Sequence, residues 1–110
     1  MGASLLEFHV LLALAGGALH GYAIAERVAA ESGGTLVPRA GSLYRVIARL
    51  ISDGLVAESE GEAEIPHPGL ARRYYALTAS GRRTLGEEAR RLKQAAAAAE
   101  KRLGLARGRS

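Results

Sequence analysis

Cysteine is absent from this chain of 110 residues, which excludes a disulfide framework, a thiolate metal site and a cysteine nucleophile. Tryptophan is absent too, and phenylalanine occurs once, so no aromatic ligand cage is evident. No apolar run reaches membrane-spanning length: "LLEFHVLLALAGGAL" at 5–19 is too short and carries Glu7 and His9. It also lacks the basic leader of a signal peptide. These absences point to a soluble, cytoplasmic protein that does not meet a membrane. His9, His20 and His67 fall in three separate elements without ligand spacing. There is no Ser/His/Asp order to defend and no phosphate-cradling Gly-x-Gly-x-x-Gly. The chain reads as no enzyme, with no catalytic residues, no metal and no cofactor.

What is present is basic. There are 15 Lys+Arg against 11 Asp+Glu, a net charge of +4 and a pI near 10.0. That balance favours a polyanionic partner. Most of the basic residues are arginine, whose planar fork grips phosphate and guanine as lysine cannot. A GC-rich genome is the plainer source of the same arginine, alanine and glycine richness.

Residues 4–16 are apolar on nearly all sides, with Ser4 placed to cap the start and Gly16-Gly17 to end it. A helix apolar all round must be buried all round, partly by a second chain. Leu5, Phe8 and Leu12 are the candidates for that contact. A second helix follows at 21–31, with Ile24 and Val28 on one face, and stops at Ser32-Gly33-Gly34. A third runs from near Gly41 to near Gly54. In it Leu43, Ile47, Leu50 and Ile51 recur at helical spacing and define a core face. Two extended pieces, 55–60 and 72–77, flank "GEAEIPHPGLA", whose prolines and glycines make it a loop.

From Thr78, a natural N-cap, the pattern is helical to about Leu103. Leu85, Ala89, Leu92, Ala96, Ala99 and Leu103 form a heptad seam. About 25 residues at ~1.5 Å each reach about 38 Å, which overhangs so small a domain. The seam therefore predicts a homodimer rather than a helix folded back on its own chain. The fold class expected is mainly α with a small β-hairpin. A winged helix-turn-helix DNA-binding domain occupies 1–78, a C-terminal dimerisation helix 79–104, and a flexible tail 105–110.

Three stretches, "LHGYAIAERV" at 19–28, "GSLYRVIARLISDGLV" at 41–56 and "RRYYALTASGRRTL" at 72–85, together resemble the PadR-type transcriptional regulators. With the first helix, the resemblance covers nearly the whole chain and is closest to the compact subgroup with a single C-terminal helix. It implies a homodimeric winged-helix repressor of bacterial type that binds double-stranded DNA. It also implies, for some members, a small-molecule effector held near the dimer interface. Two positions depart from that pattern. Arg45 stands where the family often has proline, and the wing carries Glu58, Glu60, Glu62 and Glu64 in alternation, where family wings are more often basic.

Within this frame Ser42, Arg45 and Arg49 lie at i, i+3 and i+7 on the third helix, as one stripe opposite its apolar face. Arginines so placed can hydrogen-bond guanine in a major groove; the plain alternative is a solvated helix face. Arg39 and Tyr44 sit near the helix start, where phosphate contacts are common; the Tyr44 ring could equally pack on the second helix. In the following strand Arg72 points outward towards phosphate. Arg73 is a further DNA candidate, or else a structural residue tied to a carboxylate. Tyr74 and Tyr75 read as structural. The four glutamates could offer oxygen ligands to a hard cation, but a calcium loop's glycine and Asn/Asp positions are missing. A solvated acidic face pairing with Arg72 or Arg82 is the better reading. The rival function is a winged-helix interaction module that docks a protein through its acidic wing and has no DNA function.

Overall fold

The computed structural model describes residues 4–59 and 73–105. Helix α1, Leu5–Ala13, begins in a capping box: the Ser4 hydroxyl accepts from the Glu7 amide, and the Glu7 carboxylate accepts from the Ser4 amide. It tightens into a single 3₁₀ turn, Leu14–Gly16, before the chain enters strand β1, Leu19–His20. Helix α2 spans Gly21–Glu31, with His20 as its N-cap: the ring Nδ1 accepts from the Ala23 amide at 3.2 Å. Helix α3 spans Ala40–Ser52, strands β2 and β3 cover Val56–Ser59 and Tyr74–Leu77, and helix α4 runs from Ala79 to Arg102.

The hairpin expected from the sequence has a third member. Strand β3 lies in the middle of an antiparallel sheet of order β1-β3-β2, with Leu19 opposite Tyr75 and Glu58 opposite Tyr75 on its other side. Two residues are too few to show the alternation that marks a strand. Strand β1 exists because β3 offers a free edge where the chain must turn into α2.

One core joins these elements. Val10, Leu11 and Leu14 from the first helical segment meet Ile24 and Val28 of α2, Leu43, Ile47 and Leu50 of α3, and Val56 and Tyr75 of the sheet. The helical spacing of Leu43, Ile47 and Leu50 is what points α3 inward on one side only. The turn after α3 passes through Gly54 at φ 77°, a left-handed conformation that glycine adopts without steric cost. It lets the Leu55 amide donate back to the Leu50 carbonyl at 2.9 Å and aims the chain into β2.

Helix α4 starts on this core and leaves it. Gly81 is buried and Leu85 packs on the core cluster, but from Ala89 to Arg102 no residue is buried apart from partial cover. The helix projects, so the molecule measures 55 × 26 × 23 Å.

Candidate nucleic-acid interface

Helix α3 stands at the surface because only one of its sides is needed by the core. Leu43, Ile47 and Leu50 are each about 2 % exposed, whereas Gly41, Tyr44, Arg45, Ala48, Arg49 and Ser52 face outward. The stripe Ser42–Arg45–Arg49 is tilted relative to the position expected from spacing alone. Helix α1 runs along that flank and leaves Ser42 half-buried, so Arg45 stands nearest the middle of the open side. Its Nη2 donates to the Ser42 hydroxyl at 3.4 Å. Arg49 lies at the α1 edge, where its Nε is 3.7 Å from Oε2 of the nearly buried Glu7. Between α1 and α3 these side chains line an open groove of about 380 Å³, with Ser4, Leu6 and Val46 completing it.

Tyr44 occupies the opposite edge. Its ring reaches the start of α2, where its hydroxyl lies against Gly21; a Cβ there would meet Cζ of the ring at 2.8 Å. The tyrosine therefore both packs on α2 and stays 47 % exposed. Beside it a second groove of about 270 Å³ is lined by Gly21, Tyr22, Ala25, Pro38, Ala40, Leu43 and Tyr44. Tyr22 is 70 % exposed and stacked on the His20 ring at 6.4 Å. Sequence reasoning passed over it, although it stands inside the quoted "LHGYAIAERV". A large aromatic is thus left open at the start of α2, in the same groove as Tyr44, and Arg39 is exposed between the lining residues Pro38 and Ala40. Arg39 is the residue before the first turn of α3 and makes no side-chain cap.

On the sheet, Arg73 pairs with Glu58 across β2 and β3 at 3.5 Å. Arg73 is thus tied to a carboxylate, while Arg82, expected with Arg72 as a partner for the glutamates, donates its Nη1 to the Ala15 carbonyl. Arg72, Glu60, Glu62 and Glu64 lie outside the described residues. Tyr75 is 5 % exposed, and burial raises its hydroxyl pKa above the ordinary value. Tyr44 and Glu58 push the same way, and Arg73 opposes them.

The residues expected at a dimer contact divide into two groups. Leu85 packs on the core of its own chain, and Phe8 and Leu12 are half-buried. Leu5, Ala89, Leu92, Ala96, Ala99 and Leu103 are exposed, with Leu103 at 72 %. Glu88, though buried, is paired with Arg91 one turn on.

Among the described residues there is no group of three or more metal-ligating side chains, and no helix is long and apolar enough to cross a membrane. Comparison with curated proteins gave no match. Solved structures do match. A PadR-like transcription factor from Bacteroides fragilis is 27 % identical, with 88 % of each chain covered and a TM-score of 0.71. A PadR-like transcriptional regulator from Bacillus cereus is 19 % identical, covering 90 % of this chain and 91 % of the other, at a TM-score of 0.75. The Bacillus subtilis PadR, solved in complex with operator DNA, is 25 % identical with a TM-score of 0.65. The match to it covers 76 % of this chain and 46 % of that longer one. These likenesses establish the winged-helix fold, and residues 10–87 match the sequence profile of the transcriptional regulator PadR-like family. The chain belongs to the PadR-like family of transcriptional regulators, not to a family of enzymes.

Proposed function

We propose that this regulator binds DNA in a sequence-specific way, as a homodimer on a palindromic operator, and acts as a repressor. The observation that carries the reading is the exposed side of α3, where Arg45 and Arg49 stand clear of a helix whose other side is locked into the core. Arg45 and Arg49 reach base edges, with Ser42 beside them; Arg39, Tyr44 and Arg72 meet the backbone, and Arg73 adds charge at the base of the wing. Phosphate contacts place the helix, and arginine to guanine supplies selection. The similar Bacillus subtilis PadR was solved with operator DNA, which supports the same partner here.

The dimer forms through the open seam of α4, from Ala89 through Leu92, Ala96 and Ala99 to Leu103, with Leu5, Phe8 and Leu12 of α1 against it. Leu85 contributes from the inside of its own chain. Small alanines allow close helix approach, and leucines at both ends supply apolar area. A two-fold axis through this seam sets two copies of α3 towards half-sites about one helical turn apart, which requires a palindrome. Occupying such a site excludes polymerase, so repression needs nothing beyond binding.

Selection of the purified protein against a random duplex pool tests the reading. Enrichment of a two-fold symmetric motif, bound more weakly as salt rises, is the expected result. Failure to retain any duplex at low salt overturns it and leaves the acidic-wing interaction module.

A further inference from the structure

The most telling side chain near α3 is not on α3. Glu7 is an acidic residue on α1, 8 % exposed, lining the groove beside the proposed DNA-facing side of α3. One oxygen of its carboxylate is fixed by the capping box that starts α1. Oε1 accepts from the Ser4 amide at 2.8 Å, and the Glu7 amide donates to the Ser4 hydroxyl at 3.1 Å. The other oxygen, Oε2, faces Nε of Arg49 at 3.7 Å. The Glu7 side chain is 10 % exposed and that of Arg49 is 71 % exposed. Among the described residues, no hydrogen bond and no other ion pair engages the Arg49 guanidinium.

Resting on the DNA reading of α3, we propose that Glu7 is a positioning residue: from α1 it holds Arg49 by its Nε edge and presents the guanidinium fork to one base pair. The geometry divides the work between the nitrogens. Nε faces the anchored carboxylate, and the terminal pair remains free for the two acceptors of a guanine edge. A long exposed side chain loses rotamer freedom when it binds. An anchor at Nε lowers that loss and selects one orientation of the planar group. An ion pair with so open a cation contributes little to fold stability, so its effect falls on recognition. Arg45 has an uncharged counterpart in the Ser42 hydroxyl, which accepts from its Nη2 at 3.4 Å.

The test uses Glu7→Gln, which keeps the shape and the oxygen that receives the Ser4 amide but removes the charge. Glu7→Asp keeps the charge and withdraws it by one methylene. Each variant, with Arg49→Ala and the double change Glu7→Gln/Arg49→Ala, is titrated against the selected operator and a panel carrying every single base-pair substitution. Melting curves of the proteins without DNA report on the fold. Arg49→Ala is expected to lose about tenfold discrimination at one base pair. Both Glu7 variants lose several-fold at that same pair and nowhere else, with near-native melting. The double variant is no worse there than Arg49→Ala alone. Full discrimination in both Glu7 variants, or an even loss across the site, makes Glu7 a capping residue only and overturns the proposal. If Arg49→Ala changes no base pair while the native protein still binds, the proposal falls and the DNA reading survives. If the native protein binds no duplex, the reading falls and takes the proposal with it.

Discussion

The carbonyl group of Leu55 sits against Gly81, so close that a Cβ on residue 81 would lie 3.0 Å from the Leu55 carbonyl carbon and nearer still to its oxygen. Helix α4 enters the fold through this contact, beneath the turn that ends α3. Backbone cannot step aside as a side-chain end can. Gly81→Ala is therefore expected to destabilise by about 2 kcal/mol, despite the gain of up to about 1 kcal/mol that alanine brings to a helix. Gly86, one turn and a half further on, has open space and only the tip of Arg90 at 3.7 Å. There the same change should stabilise, by about 0.5–1 kcal/mol. Denaturant unfolding of the two variants reads opposite signs; equal effects would contradict the packing described.

Thr78 fastens the same joint. Its hydroxyl donates to the Gly54 carbonyl at 2.7 Å and accepts from the Gly81 amide at 2.9 Å, while its own amide donates to the Leu55 carbonyl at 3.1 Å. One residue thus caps α4 and ties it to the end of α3. Thr78→Ala should cost about 1–2 kcal/mol in chemical unfolding, and Thr78→Ser should recover most of it. A serine variant as unstable as the alanine one would place the effect in the lost methyl group instead.

Alkaline pH should weaken the fold through Tyr75. Burial, the first cause, favours the neutral phenol and raises its pKa. The folded chain then keeps this proton where the unfolded chain gives it up. The contribution is complete below the unfolded value of about 10 and is lost as pH rises through the folded value. Melting temperatures measured from neutral to strongly alkaline pH should fall less steeply above pH ~10 for Tyr75→Phe. Parallel curves for the two proteins would remove Tyr75 as the cause.

On the proposed dimer, the seam beyond Leu85 needs a partner that its own chain does not supply. Leu92 and Leu103 are exposed at 41 % and 72 %. Leu92→Glu combined with Leu103→Glu should shift sedimentation from dimer to monomer at micromolar concentration. Folding of the winged-helix core should persist, since neither side chain reaches it. An unchanged sedimentation coefficient would send the search for the contact to another face.

Much of this was readable from residue types. Ser4 and Thr78 announce their caps, Leu43, Ile47 and Leu50 announce the buried side of α3, and Gly33-Gly34 and Gly54 mark the ends of helices. What stayed hidden depends on how separate segments meet. Strand β1 has two residues and no pattern of its own. The approach of Glu7 to Arg49 joins positions 42 residues apart in sequence and follows only from how α1 lies along α3. The same packing tilts the Ser42–Arg45–Arg49 stripe, which a helical wheel places squarely outward. The heptad pattern puts Leu85 and Leu92 on one seam, but it cannot say that the first is covered by its own chain and the second is not. Tyr22 looks like any helix-start aromatic until the fold leaves it open beside Tyr44.

The central claim is that α3 reads DNA through its two arginines. The most direct measurement is the affinity of the native protein and of Arg45→Ala/Arg49→Ala for the selected operator, followed across salt. The native protein should show a log–log salt dependence of several units. The double variant should bind the operator weaker by about 2–6 kcal/mol, the sum of two base contacts, and scarcely better than unrelated duplex. Equal affinity of the two proteins for the operator at every salt concentration would contradict the claim.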